Sequence, residues 1–121
     1  MDQAMLERER ARYRAALEQA VERLRTRFSA LPEVERVSLF GSYARGRRDL
    51  LTDLDVLVVM RTDEPFLERL RRLHRLAGAG VDLDILCYTP TEFARMKTRP
   101  FLRHALKDEV VLYEKPARGG S

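Results

Sequence analysis

Two carboxylates, Asp53 and Asp55, stand two residues apart at the mouth of an apolar run, Val56-Leu57-Val58-Val59-Met60. On a strand, residues i and i+2 point to the same face. The spacing therefore sends both acids one way and Leu54, Val56, Val58 and Met60 the other. Residues 81–88 repeat the pattern, with Val81, Leu83, Ile85 and Cys87 on one face and Asp82 and Asp84 on the other. If these strands are neighbours, Asp53, Asp55 and either Asp82 or Asp84 converge on one side of a sheet, while helices cover the apolar side. Carboxylates so crowded repel one another unless a cation compensates. An all-oxygen donor set suits Mg2+, which completes its shell with water and phosphate oxygens.

The elements around these strands follow from periodicity. Leu6, Tyr13, Leu17, Val21, Leu24 and Phe28 recur at helical spacing, which predicts one long amphipathic helix over 3–29, ended by Leu31-Pro32. A first strand is expected over 34–40. It leaves through Gly41-Ser42 into a short helical turn broken at Gly46, and a polar loop over 47–52 leads to the second strand, 53–60. Thr62-Asp63-Glu64-Pro65 reads as a capped helix start, followed by the stripe Phe66, Leu67, Leu70, Leu73 and Leu76, with Gly78 and Gly80 as stops. After the third strand, Thr89-Pro90-Thr91-Glu92 predicts another capped helix carrying Phe93 and Met96. A helical turn is expected after Pro100, and Val110–Tyr113 is expected as an edge strand. The prediction is an α+β, two-layer fold with helices on one face of a small mixed sheet. It forms a single domain over 1–114, with a core over 33–114 and a disordered tail over 115–121.

Composition narrows the function. No apolar run approaches the roughly 20 residues of a membrane span, and the start shows no basic-then-apolar leader pattern. Cys87 is the only cysteine, so neither an intrachain disulfide nor a cysteine-based zinc site is available. It is expected as a small buried side chain, and the setting as cytoplasmic. The net charge is +4, and only three of the 23 basic residues (Lys97, Lys107 and Lys115) are lysines. Such a balance permits an anionic partner. For most of these residues the plainer reading is a solvated helix face, as where Arg is interleaved with Glu in Glu7-Arg8-Glu9-Arg10. His74 and His104 are expected on helix surfaces.

Gly41-Ser42 stands ten residues before Asp53-Leu54-Asp55, between two apolar strands and with a strand Asp downstream. In this, the chain resembles the minimal nucleotidyltransferases of the polymerase-beta-type nucleotidyltransferase superfamily. Ala44-Arg45-Gly46 resembles the family's continuation of the Gly-Ser turn, and Tyr88-Thr89-Pro90-Thr91-Glu92-Phe93 and Val111-Leu112-Tyr113-Glu114 also look familial. The likeness spans roughly residues 30–114. Where the family often has Ser before its first Asp, this chain has Thr52, which keeps the hydroxyl.

The resemblance implies in-line attack on the alpha-phosphate of ATP with two Mg2+ ions. Asp53, Asp55 and Asp84 would be the catalytic metal ligands. Asp84 is favoured over Asp82 because Leu83 and Ile85 flank it. Gly41 would allow close approach of phosphate. Ser42 would bind the beta- and gamma-phosphates, and Arg45, or its neighbours Arg47 and Arg48, would contact the triphosphate. Tyr43 would either stack at the rim or pack. The implied activity is transfer of AMP to a protein hydroxyl, with the chain acting as antitoxin to a HEPN-domain partner to which the first helix contributes an interface. The alternatives are an inactive nucleotide-binding antitoxin that works by complex formation, and transfer to a small molecule. Nucleic acid is not expected as a partner. A second copy of the chain stays open as one, because so small a domain must borrow the rest of its site.

Overall fold

The computed structural model describes residues 2–78 and 80–116. Helix α1 runs Gln3–Ser29 and is capped by Asp2, whose side chain accepts from the backbone N–H of Met5 at 2.8 Å. Strand β1 (Val34–Phe40) follows, then the short helix α2 (Gly41–Ala44) and strand β2 (Leu54–Met60). Helix α3 (Phe66–Ala77) leads to β3 (Leu83–Tyr88), and α4 (Pro90–Met96), α5 (Pro100–Ala105) and a 3-10 turn lead to β4 (Val110–Glu114). The sheet order is β3-β2-β1-β4, with β2 and β3 parallel and the other pairs antiparallel. The parallel pair needs a crossover, which α3 supplies.

The apolar sheet face carries the core. Leu17, Ala20, Val21, Leu24 and Phe28 of α1 and Leu73 and Ala77 of α3 are buried with Val37, Leu39, Leu54, Val56, Val58, Ile85 and Cys87. Cys87 is fully buried, as expected, and burial pushes its thiol up to about 12. The two helices are also tied by charge. Arg27 donates to the carbonyls of Leu76 and Ala77, and Arg23 to that of Gly78 at 2.8 Å. These are carbonyls left over at the end of α3 and its cap residue Gly78.

Three expectations change in detail. The stripe of α3 is shifted: Phe66 and Leu67 are exposed, whereas Arg69 is buried and ion-paired with Glu92 at 2.7 Å. Thr62 does not cap the helix; its hydroxyl accepts from the N–H of Glu64 in a turn upstream, and Pro65 holds the N-cap position with no side-chain cap. The acidic sheet face is not left open along its whole length, since Leu57 and Val59 are buried there and α4 packs near them. Of the tail expected from Lys115 onward, residues 117–121 lie outside the described residues. Lys115 itself extends the β1–β4 ladder, its N–H donating to the carbonyl of Glu35 at 2.8 Å.

Candidate functional site

Strand register builds the site. Because β2 and β3 are parallel and paired with Asp55 opposite Asp84, two acids fall side by side on the same face. Asp53 lies one residue before β2 and on the same side as Asp55. One carboxylate oxygen from each of Asp53, Asp55 and Asp84 lies within 4.8 Å of the others. Asp82 is exposed and is not part of this group; its backbone carbonyl accepts from the N–H of Leu54 at 3.0 Å. Asp53 and Asp55 are half-buried, and Asp84 is exposed at the sheet edge.

Gly41 closes the other side. Phe40, its predecessor, pairs with Asp55 across β1 and β2. The backbone at Gly41 has φ +75°, and a Cβ there would lie 2.1 Å from Oδ2 of Asp55. Glycine is therefore needed twice, for the left-handed backbone and for room beside a carboxylate. Sequence reading gave this glycine a phosphate to approach; the structure adds that a side chain here would meet Asp55.

The electrostatics of the group are those of uncompensated acids. Burial, then the neighbouring charges of Asp53 and Asp84, raise the Asp55 carboxyl to about 6, with Arg45 pulling the other way. A hard cation among these oxygens would relieve that repulsion, so the donor set fits Mg2+.

The three candidate arginines separate. Arg47 is paired with Asp49 at 2.7 Å. Arg48 lies over the Tyr43 ring, 3.4 Å from its centroid, and donates to the Tyr43 carbonyl. Arg45 is exposed, makes no ion pair among the described residues, and is the cation felt by Asp55. Tyr43 is buried in the core, so packing is its role. Ser42 is half-exposed beside Gly41, and His74 and His104 are exposed as expected.

Sequence reading missed what lies behind Asp53. Tyr13 of α1, assigned there to the core stripe, donates its hydroxyl to the Thr52 carbonyl at 2.6 Å. Thr52 is buried, and its hydroxyl both accepts from the N–H of Asp49 and donates to the Asp49 carboxylate. Asp49 three residues before Thr52 was a legible turn signature, whereas the contact of Tyr13, 39 residues away in the chain, was not.

A cavity of about 880 Å³ lies at the opposite end of the sheet, lined by Glu33, Arg36, Val59, Phe93, Lys97 and Lys115 among others. Its central Arg36 is already paired with Glu109 and Glu114. The carboxylate group instead sits on an open rim.

Residues 17–117 match the Nucleotidyltransferase domain family. The chain belongs to that family. A Methanocaldococcus jannaschii protein, provisionally named a protein adenylyltransferase, is 30% identical over 79 residues, which cover 64% of this chain and 77% of that protein. Among solved structures, a Sulfolobus solfataricus protein designated a nucleotidyltransferase superposes with a TM-score of 0.54 at 22% identity, over 90% of this chain and 86% of that one. A toxin–antitoxin structure with AMP-PNP gives 0.55 at 20% identity, over 81% and 73%. The complex of a tri-AMPylated Shewanella oneidensis HEPN toxin with its MNT antitoxin gives 0.50 at 19%, over 84% and 71%. The expected nucleotidyltransferase fold is the fold found.

Proposed function

We propose that this nucleotidyltransferase transfers AMP from ATP to a hydroxyl of a partner protein of the HEPN toxin type, and so acts as its antitoxin. The observation that carries the reading is the convergence of Asp53, Asp55 and Asp84 against the Gly41 turn. A relative named for protein adenylylation, and fold neighbours crystallised as toxin–antitoxin complexes, one with AMP-PNP and one with an AMPylated HEPN toxin, support the choice of nucleotide and acceptor.

In this reaction the acceptor oxygen forms a bond to the alpha-phosphorus, the bond from that phosphorus to the bridging oxygen breaks, and pyrophosphate leaves. Asp53 and Asp55 would hold two Mg2+ ions between them, with Asp84 on one. Bound Mg2+ supplies charge neutralisation at the triphosphate and a more acidic acceptor hydroxyl. Asp84, exposed at the sheet edge, is open to an acceptor from solvent and would take its proton. Ser42 and the backbone beside Gly41 orient the beta- and gamma-phosphates, and Arg45 offsets their charge. The exposed rim leaves the acceptor to be positioned by the molecule that carries it.

The test is to incubate the protein with Mg2+, alpha-labelled ATP and a candidate HEPN-domain partner from the same organism. Label appearing covalently on that partner is the expected result. A tight complex with no label under any condition would contradict transfer and leave binding alone as the function.

A further inference from the structure

The structure assigns to Tyr13, acting with Asp49 and Thr52, the role of positioning residue for the carboxylate Asp53. The inference rests on the metal-binding reading above and adds residues to it.

Asp53 precedes β2, which begins at Leu54, so the strand ladder does not by itself fix it. Its position is set by the peptide that joins it to Thr52. The carbonyl of Thr52 and the N–H of Asp53 belong to one planar unit. A hydrogen bond to that carbonyl therefore fixes the orientation of the plane from which the Asp53 Cα departs. Tyr13 supplies the bond, at 2.6 Å. It stands one helical turn before Leu17, the first fully buried residue of α1, so its backbone is anchored to the core. Burial, followed by the charges of Asp82, Asp53 and Asp49, raises the Tyr13 hydroxyl above its usual range, which keeps it protonated and a donor.

The peptide before it, and the Thr52 side chain, are locked by the loop. The Thr52 N–H donates to the Asp49 carbonyl at 3.1 Å. The Thr52 hydroxyl accepts from the Asp49 N–H at 3.0 Å and donates to its carboxylate at 3.1 Å. That carboxylate also accepts from the N–H of Leu51 at 2.9 Å and from Arg47 at 2.7 Å. Each polar group of Thr52 is thus hydrogen-bonded, which holds the peptide planes on both sides of its Cα and with them the direction in which the chain enters Asp53. Loss of a partner that orients a metal ligand typically costs about 10–100-fold in metal affinity or activity.

The measurement is a Mn2+ titration of the full chain, followed by electron paramagnetic resonance. Tyr13→Phe removes one hydroxyl and keeps the ring. It is expected to weaken Mn2+ binding about tenfold, with a thermal midpoint within a few degrees of wild type. A second pair of variants guards against a folding effect: Thr52→Val should weaken binding similarly, and Thr52→Ser should restore it. A purely structural role for Tyr13 would lower the midpoint and leave the Mn2+ affinity unmoved. Folded Tyr13→Phe protein with wild-type affinity would overturn this inference alone. Wild-type protein that binds no Mn2+ would instead overturn the metal reading on which it rests.

Discussion

Gly41 and Asp55 constrain each other more tightly than any other pair in the site. A methyl group at Gly41 would sit 2.1 Å from the Asp55 carboxylate on a backbone with φ +75°. Gly41→Ala therefore either twists the turn or displaces the acid. The strained backbone alone costs about 1 kcal/mol. Calorimetry with Mg2+ and a non-hydrolysable ATP analogue should show binding weakened about tenfold or more, by loss of ligand placement. Unchanged affinity would mean that Asp55 does not need its present position.

Asp55 also sets a pH dependence. Its carboxyl is raised from the usual 3.8 to about 6, so the folded chain keeps a proton there that the unfolded chain releases. This contribution to stability is complete below about pH 4 and is lost as pH rises through about 6. A cation held by the proposed site would take the place of the proton. Mg2+ should therefore raise the thermal midpoint more at about pH 7.5 than at about pH 5, and Asp55→Asn should be more stable than wild type without metal at the higher pH. Equal metal effects at both pH values would contradict this assignment. The sequence showed these acids because strand alternation is local. It did not show which arginines are structural: Arg69 meets Glu92 only after the chain has folded. Breaking that pair with Arg69→Ala should cost about 2 kcal/mol in denaturant unfolding, since Arg69 is buried but Glu92 is partly exposed.

At the scale of elements, α1 divides into two halves. All its buried residues, Leu17, Ala20, Val21, Leu24 and Phe28, lie in the second half. In the first half, Met5 is exposed and Leu6 only partly covered, so core packing accounts for the helix from Tyr13 onward. Leu24→Ala should destabilise the protein by about 3 kcal/mol. Removing residues 2–9 should change stability by no more than about 1 kcal/mol, chiefly the loss of the Asp2 cap; a larger loss in urea melts would show that the first turns carry packing after all. Periodicity made the existence of α1, α3 and every strand legible. It placed the α3 start wrongly in detail, because Thr62 found a nearer N–H in its own turn, at Glu64, than in the helix. It also continued one stripe through both halves of α1, since spacing cannot tell where the sheet beneath a helix stops.

For the whole molecule, the sheet has two differently used ends. At one, β1 and β4 meet α4 around a cavity whose Arg36 is spent on Glu109 and Glu114. At the other, three acids share a rim, and among the described residues Arg45 is the cation that offsets the charge on Asp55. The fold and the acidic triangle were readable from the sequence because both follow from alternation along two strands and from the Gly-Ser to Asp spacing. The Tyr13 contact behind Asp53 was not, because it joins α1 to a loop far along the chain. The triangle is the center of the proposed mechanism, and it can be tested without knowing the acceptor. The direct measurement is calorimetric binding of a non-hydrolysable ATP analogue, with and without Mg2+, to wild type and to the double variant Asp53→Ala, Asp55→Ala, whose fold is checked by circular dichroism. Mg2+-dependent binding to wild type and none to the folded double variant is the predicted result. Equal binding to both proteins, or binding indifferent to Mg2+, would contradict the assignment of these carboxylates as a metal–nucleotide site.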